Sequence, residues 1–193
     1  MTRIGVLAAQ GAFAEHIAIL QQLKVKAQPV RLPRELVGLD GLIIPGGEST
    51  SIYKLMRDYN LMNEIVNLTN NGLPIFGTCA GMILLAKEIS DSDAVPLKLM
   101  DITVRRNAFG RQVDSFETEL SIPALGEKLF PGVFIRAPLI EQTSDGVEIL
   151  ARLTDGAIVA TRQGKLLASA FHPELTNDLR FHQYFLDIVA NRK

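Results

Sequence analysis

Apolar residues fall along this chain in short unbroken runs, separated by stretches with a helical repeat. Residues 4–9 carry no polar side chain, as expected of a strand buried on both faces of a parallel sheet. Residues 12–23 then set Phe13, Ile17, Leu20 and Leu23 near one face of a helix. Residues 26–30 form a second short strand, and Pro29, which cannot donate to a ladder, assigns it to an edge or a strand end. The third strand, 41–45, runs straight into Gly46-Gly47-Glu48-Ser49-Thr50. Ser49 or Thr50 suits the cap of a helix reaching about Tyr59, and Glu48 suits its positive end. A helix over 62–69 and a strand over 73–76 follow, and 82–87 is built of good helix formers. Strands alternating with helices at this spacing predict an α/β fold of three layers, α/β/α, around a parallel sheet.

Beyond Ile89 the texture changes. Pro96, Pro123, Pro131 and Pro138 punctuate short runs such as 116–122 and 133–136. Residues 147–153, 158–162 and 166–170 read as antiparallel strands, with Asp155-Gly156 and Gln163-Gly164-Lys165 as hairpin turns. An amphipathic helix over 179–189 closes the chain. The expectation is a mostly parallel mixed sheet with an antiparallel portion, in one domain spanning 1–193.

Composition narrows the class without changing that picture. A chain of 193 residues that is 47% hydrophobic suits one substantial core. A net charge of −1 with scattered Lys and Arg gives no electrostatic draw toward nucleic acid or an anionic membrane. One cysteine cannot close an internal disulfide, which fits a reducing compartment. The apolar run at 4–9 is too short for a signal sequence, and no later run approaches membrane-spanning length. A soluble cytoplasmic protein is expected.

That single cysteine is the centre of Gly77-Thr78-Cys79-Ala80-Gly81, between the strand at 73–76 and the helix at 82–87. Gly-x-Cys-x-Gly at a strand-to-helix turn is the thiol counterpart of the nucleophile elbow, and the helix dipole there favours a thiolate. A thiol nucleophile needs a base, and the base needs an orienting partner. His16 and His182 lie in helical patterns beside polar residues and are expected to be structural or solvated, so that replacing them leaves most activity. His172 follows the strand at 166–170 in Phe171-His172-Pro173-Glu174. An extended chain before proline would point Glu174 the same way as His172, to accept from one imidazole nitrogen. Gly46-Gly47 opens on the same carboxyl edge of the sheet, where Gly47 and Ala80 N–H groups could receive an oxyanion. These parts describe acyl transfer through a thioester, with no metal. No Cys/His ligand cluster, GxGxxG or Walker sequence calls for a cofactor.

The motifs at 46–50, 77–81 and 172–174 resemble the class I glutamine amidotransferases of the Cys-His-Glu type. Three further stretches, 9–13, 106–112 and 134–138, are similar to the glutaminase subunits of pyridoxal 5′-phosphate synthases, and the likeness covers essentially the whole chain. The resemblance implies a flavodoxin-like fold and glutamine hydrolysis by Cys79, His172 and Glu174. It implies glutamine-binding roles for Gly46, Gly47, Glu48, Ser49, Arg106, Ile135 and Arg136. The free amino acid needs a negative partner for its ammonium and a positive one for its carboxylate, roles for which Glu48 and one of the two arginines are expected. The implied partner is a synthase subunit of (β/α)₈ barrel fold in a hetero-oligomeric complex, which receives the ammonia. A glutaminase serving another pathway, or a non-catalytic regulatory relative, would share the elbow. Loop Gln10-Gly11 shares the carboxyl edge with Gly46-Gly47, whose glycine peptides turn at little steric cost. Partner contact near Gln10 is therefore expected to set whether the oxyanion donor faces inward.

Overall fold

The computed structural model describes residues 2–92, 96–106, 108 and 115–191. Its first half alternates as expected: β1 (Arg3–Leu7), α1 (Phe13–Gln22), β2 (Lys26–Val30), β3 (Gly41–Ile44), α2 (Ser49–Asp58), α3 (Leu61–Asn70), β4 (Ile75–Thr78) and α4 (Ala80–Leu85). The second half is strand-rich: β5 (Ala86–Ile89), β6 (Met100–Arg105), β7 (Ser115–Leu120), β8 (Phe130–Ile135), β9 (Leu139–Thr143), β10 (Glu148–Arg152), β11 (Ile158–Gln163) and β12 (Leu166–Ser169), then α5 (Arg180–Ala190). The main sheet runs β2-β1-β3-β4-β12-β11-β9-β6-β5, with β10 also on β11. From β2 to β12 every pairing is parallel, and antiparallel pairs join β12 to β11, β9 and β6.

Side-chain alternation along β4 sorts the layers. Phe76 packs on Phe181 and Phe185 of α5 and on His16 of α1, at ring-centroid distances of 5.5, 5.6 and 6.1 Å. Gly77 points the other way, where a Cβ would meet Gly81 and Leu85 of α4. Helices α1 and α5 thus cover one face, while α4, touched by α2, covers the other. Gly81 is equally constrained, since a Cβ there would run into the carbonyl oxygen of Ile44. This close approach of α4 to β3 and β4 is what the bracketing glycines permit.

Several boundaries differ from the sequence reading. The helix after Cys79 begins at Ala80 and stops at Leu85, and residues 86–89 leave it as strand β5. Glu48, not Ser49 or Thr50, caps α2, its carboxylate accepting from the N–H groups of Thr50 (3.0 Å) and Ser51 (2.7 Å). Strand β12, expected to be antiparallel, is antiparallel to β11 but parallel to β4. Strands β7 and β8 form a separate two-stranded ladder rather than part of the main sheet. Their stacked Phe116 and Phe134 rings, 4.6 Å apart, dock through Phe134 on Phe171. Pro29 sits on edge strand β2, where its missing donor costs the sheet nothing.

Candidate active site

Because β1, β3, β4 and β12 are parallel, the loops that leave them meet at one edge. Those loops carry Gln10, Gly46-Gly47, Cys79 and His172 respectively. Cys79 has φ +49° and ψ −104°, a strained backbone for a residue with a Cβ. The conformation is held by its N–H, which donates to the Ser169 carbonyl at 2.7 Å, and by the packing of Gly77 on Gly81. Only 7% of the residue is exposed.

His172 reaches the sulfur because Gly46 has no side chain. A Cβ at Gly46 would collide with the imidazole and crowd the Cβ of Cys79. The imidazole Nδ1 lies 2.6 Å from Oε1 of Glu174, which is buried. Burial opposes a charge on His172, yet its hydrogen bonds to Cys79 and Glu174 outweigh that, and its pKa is pushed up to about 10. The route by which Glu174 arrives differs from expectation. Pro173–Leu175 forms a single tight 3₁₀ turn, so Glu174 folds back under the ring instead of following an extended chain.

A cleft of about 240 Å³ opens over the sulfur, lined by Gly47, Glu48, Ser49, Cys79, Ile83, Arg106, Ile135, Arg136 and His172. It brings together every residue implied for glutamine binding except Gly46, which lies behind it against His172. Ile83 is an addition that sequence reasoning missed; it projects from the first turns of α4. Ala80, at the first position of α4, has one of the N–H groups that a helix leaves without an internal acceptor. The glycine loop is tied to the β1–α1 loop at three points. The Gly46 carbonyl accepts from Ala12 (3.3 Å), Gln10 Oε1 accepts from the Glu48 N–H (3.1 Å), and a Cβ at Gly11 would strike the Gly46 carbonyl. Of the stretch 106–112, only Arg106 and Ala108 lie among the described residues.

The two cleft arginines are not equivalent. Arg106 is turned toward Asp91, its Nε 3.5 Å from Oδ1, with its backbone N–H donating to the same oxygen at 3.2 Å. Arg136 directly follows β8, at the middle of the 134–138 motif, with φ +41°, and among the described residues it has no ion pair. Glu48 keeps its charge down to acid, since hydrogen bonds from Ser51 and Thr50 hold its pKa at about 2 against the opposing effect of burial. His16 and His182, expected to be structural or solvated, are not solvated: both are wholly buried beneath Glu174.

A cysteine elbow on one parallel strand, with an imidazole and a carboxylate carried in by the next, places the fold among the class I glutamine amidotransferases. The chain belongs to the SNO glutamine amidotransferase family, whose model matches residues 6–191. It is 61% identical over 188 residues to the pyridoxal 5′-phosphate synthase subunit PdxT of Herpetosiphon aurantiacus, covering 96% of this chain and 99% of that one. The subunit of the same name from Dehalococcoides mccartyi is 57% identical, over 99% of both chains. A solved glutamine amidotransferase superposes with a TM-score of 0.92 at 51% identity, covering 97% of this chain and 98% of the other.

Proposed function

We propose that this chain hydrolyses L-glutamine to L-glutamate and ammonia through a Cys79 thioester, and passes the ammonia to a separate synthase subunit that makes pyridoxal 5′-phosphate. The observation that carries the reading is the convergence of Cys79, His172 and two arginines on one cleft. Full-length similarity to synthase subunits named PdxT supports the pathway. The buried core runs without a break from β1 to α5, which supports a single glutaminase domain over 1–193. Among the described residues no helix is long and apolar enough to cross a membrane.

In this mechanism the sulfur attacks the side-chain amide carbon, and the N–H groups of Gly47 and Ala80 take the oxyanion. His172, holding the thiol proton, delivers it to the departing nitrogen, and ammonia leaves as the thioester forms. Water then attacks the thioester, giving its proton to His172, and glutamate departs as the sulfur is released. Glu174 keeps the imidazole aligned throughout. Gly46 leaves room for the ring, and Ser49 and Ile135 bound the substrate.

Arg136 is the arginine assigned to the glutamine α-carboxylate, because Arg106 is already engaged by Asp91, while Glu48 faces the ammonium with a fixed negative charge. Arg136→Ala should raise KM for glutamine by roughly ten- to hundredfold, the worth of one charge-assisted hydrogen bond, and leave kcat far less affected. Arg106→Ala should raise it less. Steady-state glutamate release against glutamine concentration measures both, and a larger KM effect at Arg106 would reverse the assignment.

The partner is read as a (β/α)₈ barrel that builds the vitamin from pentose and triose phosphates, on the strength of the resemblance. Its docking near Gln10 would steady the Gly46-Gly47 loop in the donor-inward state, through the bond that Gln10 makes to the Glu48 N–H. A glutaminase assay with and without the synthase tests the whole reading. Adding the partner should raise kcat by about 10²–10³, the worth of one oxyanion donor. Full turnover by the isolated chain, unchanged by the synthase, would sink the coupling; no glutamate release in either case would sink the enzyme.

A further inference from the structure

Beneath the cleft, on the α1/α5 face of the sheet, lies a row of buried polar groups that the mechanism above does not use. His16, on α1, is fully buried, and its Nε2 stands 3.4 Å from Oε2 of Glu174 and 3.2 Å from Oγ1 of Thr78. Its Nδ1 lies 2.8 Å from Nε2 of His182, on α5, which is also fully buried. Thr78 Oγ1 in turn accepts the N–H of Gly46, at 3.0 Å. Among the described residues Glu174 Oε2 has no hydrogen-bond partner, the 3.4 Å approach of His16 Nε2 falling short of one, and His182 Nδ1 has none either. A buried carboxylate oxygen without a donor is costly, so the imidazole nitrogen that approaches it matters.

We infer that His16 is a positioning residue for glutamine hydrolysis: its Nε2–H holds the free oxygen of Glu174, and His182 fixes the tautomer that presents it. The inference rests on the reading of Glu174 as the orienter of His172. Both helical imidazoles are neutral, because burial drives the His16 pKa well below its usual value, aided by His182 and His172, and drives that of His182 down to about 3.

Two neutral arrangements compete. With the His16 proton on Nδ1, His16 donates to His182, and Thr78 can donate to the bare Nε2. That lone pair would then face the Glu174 carboxylate, and the Nδ1–H of His182 would be a buried donor with no acceptor. With the proton on Nε2, His182 donates from its own Nε2 to His16 Nδ1, and Glu174 gains a donor. A bare ring nitrogen on His182 is then unpaired and the Thr78 hydroxyl loses His16 as its acceptor, but an orphaned acceptor is better tolerated than an orphaned N–H group, and a hydroxyl hydrogen is free to rotate. A hydrogen bond to a charged oxygen also outweighs the neutral one that Thr78 forgoes. The second arrangement therefore prevails. At 3.4 Å the contact is long, as catalytic hydrogen bonds often are before substrate binds. The row then runs from His182 to His16 to Glu174, whose other oxygen accepts from Nδ1 of His172 beside Cys79, so that donors from both sides converge on the carboxylate.

The test combines spectroscopy on the parent protein with kinetics on variants. In ¹⁵N-histidine-labelled parent protein, which has only three histidines, His16 should be a neutral Nε2–H imidazole that does not titrate near pH 6.5. Finding His16 as the Nδ1–H tautomer would overturn the inference, whatever the variants do. His16→Leu, assayed with the synthase present and normalised to Cys79 alkylated by an electrophilic glutamine analogue, should lose roughly tenfold or more in kcat while KM stays within about twofold. His16→Gln, whose amide nitrogen falls near the position of Nε2, should recover most of that loss. Unchanged kcat in His16→Leu, or equal damage from Gln and Leu in folded protein, would also overturn it. Glu174→Gln is run alongside. If that change costs nothing, the orienter reading itself has failed; if it costs activity while His16→Leu does not, only the role of His16 has failed.

Discussion

Cys79→Ala is expected to fold and to release no glutamate from glutamine, with or without the synthase. The nucleophile forms the covalent bond on which every later step depends, and the chain contains no second cysteine. Losing a nucleophile of this kind costs on the order of 10⁴–10⁶ in kcat. The fold should survive because the change is small and the backbone demand is unaltered. At φ +49° alanine bears the same β-carbon strain that cysteine already bears. The N–H at position 79 still donates to Ser169. The check is glutamate release on protein whose melting temperature matches the parent, together with labelling by the electrophilic glutamine analogue, which should mark the parent at one site and the variant at none. Near-parent turnover in well-folded Cys79→Ala would remove Cys79 from the chemistry.

Much of this architecture could be read from the chain because it is governed by local pattern. Residues 4–9 and 41–45 are apolar without interruption, and only strands buried on both faces need that. Pro29 announced an edge, and the edge is where β2 lies. The elbow was legible for a steric reason, since both of its glycines have backbone or side chain where a Cβ would go. Family membership followed from the same motifs taken together.

What escaped the sequence was non-local. The six-residue length of α4 is set by β5, which pairs with β6, and neither partner announces the other in sequence. Strand β12 has two neighbours of opposite sense, and its parallel side depends on β4, far upstream. The His172–Glu174 contact arises from a tight turn where spacing alone suggested an extended chain. His16 and His182 looked like polar positions on amphipathic helices. Only the docking of α1 and α5 on one face of β4 shows that they meet under Glu174. A histidine at helical spacing among polar neighbours has no sequence mark that separates a solvated ring from one in a buried row.

The second large effect is at His172. His172→Asn should lower kcat by about 10²–10⁴, the range of a general base, since asparagine can fill the Nδ1 position but cannot carry a proton. Glu174→Gln should cost less, and the geometry explains how much is kept. The amide oxygen of glutamine can still accept from Nδ1 of His172, where Oε1 now sits at 2.6 Å. What is lost is the negative charge, one of the contributions that raise the His172 pKa to about 10 against its burial. The amide nitrogen would then face Nε2 of His16, so His16 must surrender its proton from that atom and turn its donor toward His182. That rearrangement leaves the ring of His172 supported but less firmly aligned. The order of kcat losses should therefore be His172→Asn first, Glu174→Gln second and His16→Leu third, with KM for glutamine nearly constant across the set. Single-turnover acylation of Cys79, followed by ammonia release, measures the step directly. A Glu174→Gln variant as slow as His172→Asn would mean that the carboxylate charge, and not its aim, is what the base requires.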